Sequence, residues 1–177
     1  MNYFNIITQI ILTSLIALIL IGLAVLTLSC KGIHSSSLLN SLTGSYSVPF
    51  ISDTELDSLY RNSAPFYLYD TRTKEEFDVS HLQGAVWIGD KDTLPTNVKE
   101  PLPIVVYCSV GYRSGKAGKR MLKAGYKDVY NLEGGIFQWI NSGKQIYNTN
   151  GEPTDSIHGY SPRWGAIIEK GIVVYEK

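Results

Sequence analysis

The first 30 residues contain no Asp, Glu, Lys or Arg; charge begins at Lys31. The rest shows no excess of either sign, with 16 basic residues against 16 acidic ones. That excludes the basic surface on which nucleic-acid binding ordinarily rests, so no nucleic-acid partner is expected. Cysteine is scarce: Cys30 and Cys108 are the only two. A disulfide framework needs more of them, and a zinc site needs Cys or His in close pairs. The histidines, His34, His81 and His158, are scattered and form no pair at helical spacing. Neither a metal nor a cofactor is expected, and the two cysteines are read as serving separate purposes.

What the charge-free head does contain is an apolar run. Residues 6–28 are interrupted only by Thr, Ser, Gln and Gly, and a helix needs roughly 20 apolar residues to cross a hydrocarbon core. Residues 1–30 are therefore read as a membrane anchor or signal peptide. Leu26, Thr27, Leu28, Ser29 and Cys30 resemble the end of a bacterial lipoprotein signal, where a small residue precedes a cysteine that is acylated after cleavage. Ser29 and Cys30 fit; Thr27 departs from the Leu usual in that pattern, and the positive charge usual at the start of a secretory signal is missing. The alternative is an uncleaved anchor with Cys30 at its edge. Both make a membrane the partner of the N-terminus. Lys31 slightly favours a cytoplasmic body for an uncleaved anchor. The lipoprotein reading puts the body outside the cytoplasm, in the cell envelope, and the polar stretch after Cys30 suits such a tether.

Residues 31–46 are rich in Ser, Gly and Asn and read as a flexible linker. Order is expected to begin near Val48. Ser52, Glu55, Leu56 and Leu59 mark a helix start, with Ser52 as N-cap and Glu55 at the capping-box position. Residues 66–70 read as a buried strand, 71–77 as a short helix and 84–88 as another strand. Pro101 and Pro103 precede the β-branched run 104–107, the clearest strand in the chain. Residues 114–124 are helical up to Gly125, 128–131 form a strand, and 135–141 a last helix stopped by Gly143. Alternating strands and helices predict an α/β domain with a mainly parallel central sheet flanked by helices.

Cys108 follows the strand at 104–107, and Ser109, Val110, Gly111, Tyr112 and Arg113 lead into the next helix. A parallel strand delivers its C-terminal end to the rim where α/β sites form. Backbone N–H groups of such a loop can converge on one point, and the helix N-terminus adds partial positive charge. Gly111 supplies the backbone freedom and Arg113 a full charge. The thiolate is the nucleophilic form of cysteine, and a field of this kind favours it.

The body resembles a single rhodanese domain over residues 47–146. Leu68, Tyr69, Asp70, Thr71 and Arg72 are similar to that family's strand ending in Asp-x-Arg. Glu75, Glu76 and Phe77, then His81, Leu82, Gln83, Gly84 and Ala85, resemble its Glu-rich and Gly-His-Ile-x-Gly-Ala stretch, with Ser80 in place of Gly. Leu132, Gly134, Gly135, Trp139 and Gly143 resemble its closing signature. The resemblance implies a sulfurtransferase without cofactor. Cys108 would take the outer sulfur of a small anionic donor such as thiosulfate, or of a persulfide, and pass it to a thiol or protein acceptor. It implies substrate binding by residues 109–113, with Arg113 and Tyr112 toward an anionic donor, and structural support from Asp70 and Arg72. Arg113 stands five positions after Cys108, closer than the phosphate-gripping Arg of longer-looped phosphatase relatives. Ser109 departs from the Arg or Lys common after the cysteine in thiosulfate enzymes. A tethered, non-catalytic binding module on the same fold is the rival reading. Residues 147–177 form an extension, with a β-hairpin expected about the turn Glu169, Lys170, Gly171.

Overall fold

The computed structural model describes residues 48–89, 94–95, 98–99 and 101–175. The apolar run at 6–28, Cys30 and the linker at 31–46 lie outside these residues. Among those described, no helix is long and apolar enough to cross a membrane.

Five strands form one parallel sheet: β1 (Phe50–Ile51), β2 (Tyr67–Asp70), β3 (Val86–Trp87), β4 (Ile104–Tyr107) and β5 (Val129–Leu132), in the order β1-β5-β4-β2-β3. Strand β4 is central, and all four of its residues are buried. Its side chains alternate between two layers. Val105 and Tyr107 join Leu68 and Leu132 on one face, while Ile104 and Val106 join Tyr69 and Val129 on the other. Apolar residues on both faces are what a parallel sheet sandwiched by helices requires.

Helix α1 (Asp53–Arg61) starts at the expected capping box, with the Ser52 hydroxyl accepting from the Glu55 amide and Leu56 fully buried. Helix α2 (Lys74–Val79) starts three residues later than its composition suggests. Thr71 is held extended instead, because its amide and hydroxyl both donate to the Tyr107 carbonyl at 3.0 Å. Thr73 then caps α2, again in a capping box, closed by Glu76. Helix α3 (Tyr112–Lys123) begins directly after left-handed Gly111 (φ 98°), and α4 spans Gly135–Asn141.

The extension is built into the domain. Strands β6 (Ile146–Tyr147) and β7 (Pro153–Thr154) pair antiparallel. Strand β8 (Ser156–His158) then pairs with β9 (Ile172–Val174) in parallel, so the expected hairpin about residues 169–171 does not form. Pro162 opens a helical turn, α5 (Pro162–Gly165), that carries the chain back to the starting end of β8. A parallel pair needs a crossover of this kind, where a hairpin needs only a tight turn. Ile167 and Ile168, read as part of a strand, pack against the main core instead. Ile157 of β8 is fully buried in that core, and Asn141 of α4 binds the Ile167 carbonyl and the Glu169 amide. Substituting Ile157→Ala should therefore cost the whole domain about 2–5 kcal/mol. In denaturant unfolding this appears as one cooperative transition at a lower midpoint, not as separate loss of the tail.

Candidate active site

Cys108 directly follows β4 at the C-terminal rim of the sheet and is only 1% exposed. The Gly111 amide donates to its Sγ at 3.1 Å. The surrounding chain is shaped by what happens to its carbonyls. Those of Cys108 and Ser109 accept from the Ile136 and Phe137 amides at 2.9 and 3.1 Å, in the first turn of α4. The Gly111 carbonyl accepts from buried Asn131 of β5 at 2.9 Å. These carbonyls are thus engaged by partners outside the loop, while the Gly111 amide meets the sulfur.

This close approach explains the paired glycines before α4. Gly134 and Gly135 are both left-handed, and a Cβ on Gly135 would lie 2.3 Å from the Cys108 carbonyl oxygen. A side chain there would push α4 off the loop.

The expected substrate-binding residues divide by direction. The Ser109 hydroxyl donates to Glu76 Oε1 at 2.8 Å, and Val110 packs into the core beneath the loop. Gly111 offers its amide. Tyr112 is 43% exposed at the start of α3. Arg113 is committed to Glu76 in a two-pronged pair, Nη1 to Oε2 at 2.6 Å and Nη2 to Oε1 at 2.7 Å, with Nη2 also 2.9 Å from the Ser109 hydroxyl. Arg113 thus brings charge to the loop while its fork is occupied.

Glu76, which the sequence places in the Glu75, Glu76, Phe77 motif but not in the site, stands at its centre. It is 1% exposed and accepts additionally from the Thr73 amide at 2.9 Å. Burial alone would raise its carboxyl. The hydrogen bonds and charge of Arg113, the Thr73 amide and the nearby Arg72 charge outweigh burial and hold it at about 2. Burial likewise works against the Arg113 charge, but the Glu76 hydrogen bonds and electrostatic interaction with Cys108 and Glu76 leave that guanidinium above its ordinary value. The available sequence signal was the Thr-x-x-Glu spacing of Thr73 and Glu76, which places the carboxylate at a buried helix start.

Asp70 and Arg72 form a second ion pair, entirely buried. Arg72 Nε and Nη2 reach Asp70 Oδ2 at 3.0 and 2.7 Å, and Nη2 also donates to the Ser80 carbonyl at 2.5 Å. The Arg72 guanidinium lies 5.7 Å from the Tyr107 ring centroid, and its carbonyl accepts from Trp87 Nε1 at 2.9 Å. This pair braces the C-terminal ends of β2, β3 and β4. His81 stacks on Phe77 and contacts the Phe77 carbonyl through Nδ1.

The model of the rhodanese-like domain matches residues 52–142, just over half of the chain. The chain belongs to the rhodanese-like family. Its rhodanese-like domain is 37% identical over 103 residues to a probable molybdopterin-synthase adenylyltransferase of Porphyra purpurea, covering 55% of this chain but only 26% of that protein. Protein YqhL of Bacillus subtilis is 24% identical over 130 residues, 72% of this chain and 94% of its own. Among solved structures, thiosulfate sulfurtransferase of Pseudomonas aeruginosa superposes with a TM-score of 0.57 at 20% identity, covering 66% of this chain and 23% of that one. At that identity the likeness is one of fold.

The Glu76 pair has a pH signature with a definite sign. A carboxyl held at about 2 in the folded state, against an ordinary 4.5, stabilises the fold fully above the ordinary value. That contribution is lost as pH falls through about 2. At neutral pH, Glu76→Gln should cost about 1–3 kcal/mol, because it leaves the half-buried Arg113 without its counter-charge. In denaturant unfolding followed from neutral to acid pH, the variant should lose stability with a shallower slope than wild type.

Proposed function

We propose that this chain is a sulfurtransferase that moves sulfane sulfur, from thiosulfate or a persulfide donor, to a thiophilic acceptor through a persulfide on Cys108. The observation that supports this best is the Gly111 amide on the Cys108 sulfur, in a loop whose carbonyls are engaged elsewhere. A donor cradle aimed at a sulfur atom stabilises anionic sulfur before any substrate arrives.

In the first half-reaction the Cys108 thiolate attacks the outer sulfur of the donor. A new S–S bond forms, the donor's own S–S bond breaks, and its electron pair leaves with sulfite or with the donor thiolate. Cys108 then carries a persulfide whose terminal sulfur bears the negative charge, beside the Gly111 amide and the Arg113 charge. In the second half-reaction an acceptor nucleophile attacks that terminal sulfur and the pair returns to Cys108 as thiolate. No net oxidant or reductant is consumed. Intact-mass measurement after incubation with thiosulfate or a polysulfide should show one added sulfur atom, absent from Cys108→Ser. Failure of every donor to add sulfur to wild type would refute the proposal.

We also infer that this chemistry takes place at a membrane surface, most readily as an envelope lipoprotein. The support is the uncharged apolar run at 6–28 and the Ser29, Cys30 pair. The chain should sediment with membranes, and removal of residues 1–30 should release it. A fatty-acid analogue should label it through Cys30 and fail to label Cys30→Ser; membrane retention without labelling would decide for an uncleaved span.

A further inference from the structure

The extension beyond the matched family segment reaches the site through Tyr160. The ring of Tyr160 lies over the Arg113 guanidinium, with 5.0 Å from Cζ to the ring centroid. The fork of the same guanidinium is occupied by Glu76 and Ser109. The only charged side chain in the Cys108 loop therefore packs against an aromatic ring from elsewhere in the chain.

The backbone beneath that ring is unusual. Tyr160 is left-handed, with φ 62°, a conformation that is unfavourable for any residue carrying a Cβ and natural to glycine. It is held there from both sides. Its amide donates to His158 Nδ1 at 3.0 Å, and His158 Nε2 contacts the Tyr175 carbonyl at 3.0 Å. Next to it Gly159 runs so close to β9 that a Cβ would sit 2.6 Å from Val173 Cγ1. A strained residue that is 53% exposed gains little from burial. Its side chain is the remaining feature that glycine would not supply.

We propose that Tyr160 is a specificity-determining residue of the Cys108 site, its ring screening Arg113 from incoming anions. The consequence for substrates rests on the sulfur-transfer reading. A compact dianion such as thiosulfate gains least from a guanidinium that is neutralised by Glu76 and covered by Tyr160. A persulfide donor, charged only at the sulfur to be transferred, depends less on Arg113 and more on the loop amides. The screen thus selects persulfide donors over thiosulfate.

Alkylation of Cys108 tests the screen separately from sulfur transfer. Iodoacetate and iodoacetamide share a leaving group and differ in charge, so the ratio of their rates at Cys108 reports how much positive charge meets an approaching anion. The rates are followed on the Cys108 peptide of the full chain, which keeps Cys30 out of the signal. Tyr160→Gly suits the left-handed position, and its thermal midpoint should not fall below that of wild type. In that variant the iodoacetate-to-iodoacetamide ratio should rise roughly two- to fivefold, the scale of one exposed cation–π contact. Tyr160→Phe, which keeps the ring, should retain the wild-type ratio. An unchanged ratio in Tyr160→Gly overturns the proposal, as does a Phe variant that behaves like Gly. Equal changes in both rates also overturn it, since they report access and not charge. A shifted ratio in a protein that accepts no sulfur would preserve the screen and remove the sulfur-transfer reading.

Discussion

The Glu76 carboxylate joins three pieces of the domain that the chain reaches at widely separate points. Its Oε2 closes the capping box of α2 and meets Arg113; its Oε1 meets Arg113 again and the Ser109 hydroxyl, 33 residues on. A helix start, the end of the central strand and the first turn of α3 are thereby fixed to one another. Ion pairs at this depth contribute little net stability compared with apolar packing, because both charges must leave water. What they supply is direction. Five donors in a planar fork and two carboxylate oxygens fit in very few ways, so the position of the Cys108 loop relative to α2 is set by geometry more than by area.

Around that anchor the loop is shaped from outside. Its side chains mostly leave the sulfur: Ser109 toward Glu76, Val110 into the core, Tyr112 toward solvent. Its carbonyls are drawn off by α4 and by Asn131. Two consecutive left-handed glycines let α4 come close enough to do so. The cradle around Cys108 is therefore assembled by backbone groups whose orientation is enforced by partners outside the loop. Within the loop, Gly111 is needed for its left-handed backbone and Ser109 for its tie to Glu76.

Much of the fold was legible because its signals are local. The run at 104–107 has β-branched residues at every position but the last and became the buried centre of the sheet. Ser52 with Glu55 formed the capping box that their spacing implies. Cys108, Gly111 and Arg113 could be placed at a strand end and helix start for the same reason. The contacts that were not legible are those between distant residues. Nothing near Glu76 announces a partner 37 residues away, and nothing near Arg113 announces Tyr160. The tail misleads for a related reason. Ile167 and Ile168 have the composition of a strand, but the main core takes their side chains and the strand pairing passes to β8 and β9.

That tail also bears on where the domain ends. The family segment stops at residue 142, yet Ile146 and Ile157 are fully buried with the same core that holds Val105 and Tyr107. The backbone of Tyr147 bridges to His81, in the loop just after α2. Helix α4, whose amides hold the Cys108 and Ser109 carbonyls, is in turn secured at its far end by Asn141 against residues 167 and 169. The route from tail to sulfur is thus short and mechanical: β8 and β9 fix the segment after α4, α4 fixes the loop carbonyls, and the Gly111 amide meets the sulfur. A rhodanese-like domain cut at the family boundary would keep every residue of the loop and lose the packing that holds one side of it in place.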